Sequence, residues 1–98
     1  MTLPVVLRRA ARGEFDDAAL WYEERRVGLG GEFTAEIDRA VGLAPDEPNR
    51  FPIMHRDIRC VRARRFPYSI FFRIEITRIV VLAMFHIRRD PAVWQRRA

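Results

Sequence analysis

The sequence predicts an α+β domain in two layers, a helical hairpin packed on one face of a mainly antiparallel five-stranded sheet. Three observations predict it. Apolar residues recur at spacings of three and four from residue 10 to residue 44, with one interruption at Gly28-Leu29-Gly30. Beyond residue 51 the period becomes two, or gives way to unbroken apolar runs. A short β-branched segment precedes the first helical stretch. The order is β-α-α-β-β-β-β over residues 1–98, with no linker, internal repeat or low-complexity tract, and it reads as one domain.

Leu3 to Leu7 suits an edge strand, because Pro4 cannot donate to a ladder and is tolerated only near a strand start or on an edge. From Ala10, the residues Ala11, Phe15, Ala18, Ala19 and Tyr22 form one apolar stripe, and the helix they predict ends before Gly28. A second helix is expected from about Gly31 to Ala44, with Phe33, Ile37, Ala40 and Val41 on its apolar face. So short a link makes the two antiparallel. Pro45 and Asp46-Glu47-Pro48-Asn49 form a loop. Phe51-Pro52-Ile53-Met54 leads into a short strand, and Ile58 to Arg65 gives another with Arg62 and Arg64 on one face and Val61 and Ala63 on the other.

The stretch from Arg59 to Trp94 organises the rest. Pro67 forces Phe66 to be extended, so Phe66-Pro67-Tyr68 turns one strand into the next. Ile70, Phe72, Ile74 and Ile76 then alternate with Ser69, Phe71, Arg73, Glu75 and Thr77, the pattern of a half-buried strand. Glu75 to Arg78 is the hairpin turn. Ile79 to Phe85 is apolar on both parities, as expected of a central strand. Pro91 opens a closing turn of helix anchored by Trp94.

All 18 basic residues are arginine, and they are unevenly placed. Residues 1–49 hold 6 arginines against 10 acids, whereas residues 50–98 hold 12 against 3. So polarised a chain suits an anionic partner, either nucleic acid or an acidic protein segment. The sequence holds neither a signal-peptide pattern nor an apolar run approaching the ~20 residues that span a bilayer, so a soluble, cytoplasmic protein without membrane contact is expected. The single cysteine, Cys60, can close no intrachain bridge and reads as a small strand residue.

Few residues suggest chemistry by themselves. The acid pairs Asp16/Asp17, Glu23/Glu24 and Glu32/Glu36 fall on polar helical faces and read as solvated charges. No metal site and no cofactor are expected. Trp21, Tyr22 and Phe33 read as packing residues rather than a stacking platform for bases. His86 could act as acid or base but reads more simply as a strand-end residue that packs or donates one hydrogen bond, and His55 shows no partner pattern. Arg62, Arg64, Arg65, Arg73, Arg88, Arg89, Arg96 and Arg97, with Trp94, are the candidate contacts to a partner or target.

Taken in order, Trp21-Tyr22-Glu23, Gly28-Leu29-Gly30 with Phe33, Arg65-Phe66-Pro67-Tyr68, and His86, Arg88, Asp90-Pro91 and Trp94 make the chain resemble the ParE/RelE superfamily of toxins from type II toxin-antitoxin systems, most of all its ParE-like plasmid stabilisation branch. The resemblance covers nearly the whole chain. It implies the sheet order 1-5-4-3-2, a bacterial origin, and a cognate antitoxin in a hetero-oligomer, of the ribbon-helix-helix ParD-like kind with an acidic C-terminal segment. DNA would be met only indirectly, through that antitoxin. ParE-like members poison DNA gyrase and RelE-like members cleave mRNA in the ribosome. For cleavage the resemblance implies basic residues on the third strand, matched by Arg62 and Arg64, and an arginine past the last strand, matched by Arg88 or Arg89. Two further positions depart from it: Ser69 stands where an arginine follows the tyrosine, and Trp94 where a tyrosine ends the chain. Ser69 cannot neutralise a phosphate, and the indole of Trp94 has no proton useful for catalysis. Gyrase inhibition by protein binding is therefore the first expectation. A ribosome-dependent endoribonuclease using Arg62, Arg64, His86 and Arg88 is the second, and an inactive toxin-like binding domain the third.

Overall fold

The computed structural model describes residues 3–98. The elements are β1 (Val5–Leu7), α1 (Arg9–Arg25), α2 (Leu29–Leu43), a 3-10 turn (Pro48–Arg50), β2 (Ile53–His55), β3 (Ile58–Arg62), β4 (Tyr68–Ile74), β5 (Ile79–His86) and α3 (Ala92–Gln95). The five strands lie in the order β1-β5-β4-β3-β2. β1 runs parallel to β5, and every other neighbouring pair is antiparallel. The expected order and the central place of Ile79 to Phe85 both hold. No helix is long and apolar enough to cross a membrane among the described residues.

The helical hairpin covers the inner face. Ala11, Phe15 and Ala18 of α1 and Phe33, Ile37 and Ala40 of α2 meet Val61, Ile70, Phe72, Val81 and Met84 in one buried cluster. Phe33 is its hub, with ring centroids 5.0 Å from Tyr22, 5.2 Å from Phe66 and 5.1 Å from Tyr68, separations at which edge-to-face packing adds to simple burial.

α2 begins at Leu29 rather than at Gly31, so Gly30 and Gly31 are helical. The reason lies on the preceding helix. The Glu23 carboxylate accepts the backbone N–H of Gly28 at 2.9 Å and that of Gly30 at 3.0 Å, supplying partners that helix starts otherwise lack. Gly28 takes the left-handed conformation, with φ of 89°. Gly30 is needed for contact: a Cβ there would lie 2.6 Å from the carbonyl oxygen of Ala19.

Three further expectations are corrected. β3 ends at Arg62, so Arg64 is not on a strand. Ile76 does not continue the alternation, for it sits 97% exposed in the turn, where Glu75 and Arg78 bond to each other through backbone and side chains. The outer side of β4 is not polar either. Ser69 and Phe71 are buried there, and Phe71 joins Ile58, Cys60, Leu82, Ala83, Phe85 and Trp94 in a second cluster.

A bulge explains the apolar parity of β5. Phe71 pairs with Ala83 and Phe72 with Val81, leaving Leu82 as an extra residue that sends Leu82 and Ala83 to the outer cluster and Met84 back inward. α3, four residues long, closes that outer cluster by stacking Trp94 on Phe71 at 3.9 Å.

Candidate functional site

The start of β4 and the end of β5 lie side by side at one edge of the core. Tyr68 starts β4 and His86 ends β5; they are cross-strand partners, with rings 5.5 Å apart and edge to face. His86 and Arg89 line two clefts. The inner one, of about 440 Å³, lies between α1 and this strand end and is walled by Asp17, Trp21, Tyr22, Tyr68 and His86. The outer one, of about 250 Å³, is walled by Arg62, Ser69, Phe71, Phe85, His86 and Trp94. A further groove bearing Arg56 and Arg96 shares Gln95 with it.

His86 packs against Tyr68, and its hydrogen bond is one that it accepts rather than donates. Its Nδ1 accepts the backbone N–H of Arg88 at 3.1 Å, which leaves Nε2 to carry the proton of the neutral ring. Burial pushes the phenols of Tyr22 and Tyr68 above their ordinary range, and Arg89 only partly opposes this at Tyr68. Both therefore stay protonated near neutral pH. Burial likewise raises the Cys60 thiol, against smaller opposing effects of Ser69 and Arg62, so it lacks thiolate character. No group of three or more His, Cys, Asp or Glu able to hold a metal occurs among the described residues.

The candidate arginines fall into two sets. Four are held by the chain's own acids: Arg65 by Glu32 at 2.9 Å, Arg73 by Asp57 at 3.0 Å, and Arg89 and Arg97 by Glu14 at 2.8 and 3.0 Å. Among the described residues the guanidinium groups of Arg62, Arg64, Arg88 and Arg96 make no hydrogen bond or ion pair. With Arg56, which also makes none, they are the guanidinium groups of the basic half left without an internal partner among the described residues. Arg64 contributes its backbone instead, donating its N–H to Glu36. Trp94 is 5% exposed, so most of its surface is already spent on this chain's core.

Several important residues escaped the sequence reading. Glu14 accepts the Met84 backbone N–H at 3.1 Å as well as both arginines, and Arg97 also donates to the Leu82 carbonyl at 3.1 Å. Together they satisfy the part of the β5 edge that β1 is too short to reach. Arg59 donates to the carbonyls of Asn49 and Phe51, at 3.2 and 2.7 Å, and so pins the loop before β2. Glu23, Glu32 and Glu36 are structural acceptors rather than solvated charges. His55 has a partner after all, its ring standing 6.0 Å from Trp94. The Glu14, Glu32 and His55 contacts link residues far apart in the chain, so spacing carries no signal for them.

No protein-family profile matches the chain. No curated protein matches it. Among solved structures, it is similar to a chain described as "Chromosomal ParDE TA system from P. aeruginosa", with a TM-score of 0.74 and 19% identity over 87% of this chain and 96% of that one. So low an identity speaks to architecture rather than activity. Sheet order, helical hairpin and this likeness agree: the chain has the ParE/RelE-type fold.

Proposed function

We propose that the protein is the toxin component of a type II toxin-antitoxin system, acting in the cytoplasm and neutralised by a cognate antitoxin. The likeness to a chain of a ParDE system over nearly its full length is the observation that carries this reading. The antitoxin would lay an acidic segment across the outer face, where Arg62 and Arg96 stand without internal partners, and order that segment as it binds. A ParD-like, ribbon-helix-helix antitoxin would supply the DNA-binding part of the complex.

For the target, inhibition of DNA gyrase by protein binding is the preferred reading. RNA cleavage needs a base for the ribose 2′-OH, cations for the phosphorane and a proton donor for the leaving oxygen. Ser69 is buried beside Arg62, its cross-strand partner, and Trp94 is stacked into the outer cluster, so neither supplies those groups. The second reading, a ribosome-dependent endoribonuclease, rests on Arg62 and His86 sharing one cleft. A gyrase supercoiling assay decides between them. Loss of supercoiling with accumulation of cleaved DNA is expected; site-specific mRNA cutting in a reconstituted translation system, abolished by His86→Ala, would replace gyrase with the ribosome. Inactivity in both assays, with antitoxin binding retained, would leave a toxin-like binding domain.

A further inference from the structure

The inner cleft joins α1, from the acidic half of the chain, to the end of β5 in the basic half. Four rings run along its wall in contact, Trp21 to Tyr22 at 5.1 Å, Tyr22 to Tyr68 at 6.3 Å and Tyr68 to His86 at 5.5 Å, each pair edge to face. Asp17 stands one helical turn before Trp21 on the same side of α1 and opens into the same space. Its carboxylate has no hydrogen bond or ion pair among the described residues. Two acids and one arginine line the cleft: Glu14 is held by Arg89, and by Arg97 from outside the lining, whereas Asp17 has no internal partner among the described residues. Aromatic faces beside a free carboxylate attract a cation through both the ring quadrupoles and direct charge. The chain already shows this chemistry, since the guanidinium of Arg25 sits 3.8 Å from the Trp21 ring centroid, and Arg25 does not line the cleft.

We propose that the inner cleft receives a cationic side chain, arginine or lysine, of a polypeptide partner. The charge pattern selects a polypeptide. His86 and Arg89 form a ridge shared by this cation-seeking cleft and the outer cleft with its free Arg62, so a chain crossing the ridge meets both demands within one footprint. Nucleic acid offers only the anions and a polyamine only the cations, whereas a protein segment carries both. The identification of that partner with an antitoxin rests on the function proposed above; the cleft's preference for a cation does not.

The test uses the isolated chain and no antitoxin, so its failure is separate from failure of the toxin reading. Acetyl-arginine amide and its neutral isostere acetyl-citrulline amide are titrated while the two indole N–H signals are followed by NMR. The arginine probe is expected to shift the Trp21 signal saturably at millimolar concentration, leave the buried Trp94 signal unmoved, and bind about tenfold tighter than citrulline. Asp17→Asn should reduce it to the citrulline level, and Arg62→Ala should leave it unchanged. Equal binding of the two probes, a response that survives Asp17→Asn, or no saturable shift at all would overturn the proposal. Spermidine is expected to bind no more tightly than acetyl-lysine amide; tighter binding by about tenfold would make the occupant a free polyamine and overturn the assignment to a partner protein.

Discussion

The two faces of the sheet are built from the same strands to different ends. On the inner face, Ile70 and Phe72 of β4 meet two full helices, and aromatic rings pack around the fully buried Phe33. On the outer face, Phe71 of the same strand is covered chiefly by Trp94 on a four-residue helix, and the unpaired Arg62 borders the patch. The difference teaches that one strand can serve two layers of unequal cover: side chains toward the helices hold the fold, and those on the other side lie under a thin apolar layer bordered by charge.

That contrast can be tested from its strongest consequence downward. Phe33→Ala should cost about 3 to 5 kcal/mol in denaturant unfolding, because it opens a cavity among Phe15, Tyr22, Phe66 and Tyr68. Trp94→Ala should cost less, about 2 to 3 kcal/mol, since the short α3 can fray and relieve part of the loss. A cost equal to that of Phe33→Ala would show that the outer cluster is no weaker than the inner core. Hydrogen exchange adds direction: after Trp94→Ala, β3 should lose protection before α2.

Smaller effects sharpen the same contrast. Gly30→Ala should destabilise by about 1 to 3 kcal/mol, since the methyl group would run into the Ala19 carbonyl and part the two helices. Glu36 holds Arg39 through two 2.8 Å bonds and accepts the Arg64 N–H, and these partners, Arg39 foremost, lower its pKa from the ordinary 4.5 to about 2. A pKa that falls on folding stabilises the protein above the unfolded value and loses that contribution as the pH drops through the folded one. Stability should therefore decline between about pH 4.5 and pH 2, and Glu36→Gln should flatten that slope. At the low end, Arg62→Ala should change stability by less than about 0.5 kcal/mol while weakening polyanion binding and lowering its salt slope by about one. Arg73→Ala, which removes a guanidinium already matched by Asp57, should change that slope much less.

The periodicity of this chain was a good guide wherever a residue's role depends on its neighbours in sequence. The stripe from Ala11 to Tyr22, the all-apolar run from Ile79 to Phe85 and the arginine-rich second half each translate into an element or a surface without knowledge of what lies across from them. By itself, then, the sequence determined the element order, the central strand, the helical hairpin and the polarity of charge.

Only the tertiary structure decided which arginines are free. Glu14 and Glu32 reach across the fold to neutralise Arg97, Arg89 and Arg65, over separations of 83, 75 and 33 residues, and a one-dimensional charge count cannot register such pairings. The same holds for the outer cluster and the inner cleft. The bulge at Leu82 and the stacking of Trp94 on Phe71 turned an apparently polar strand side into a buried one, and the approach of α1 to the end of β5 set Asp17 and Trp21 beside His86. Local period follows from backbone geometry, which every residue carries with it; pairing between distant charges and rings follows from how the layers close, and that is settled only when they do.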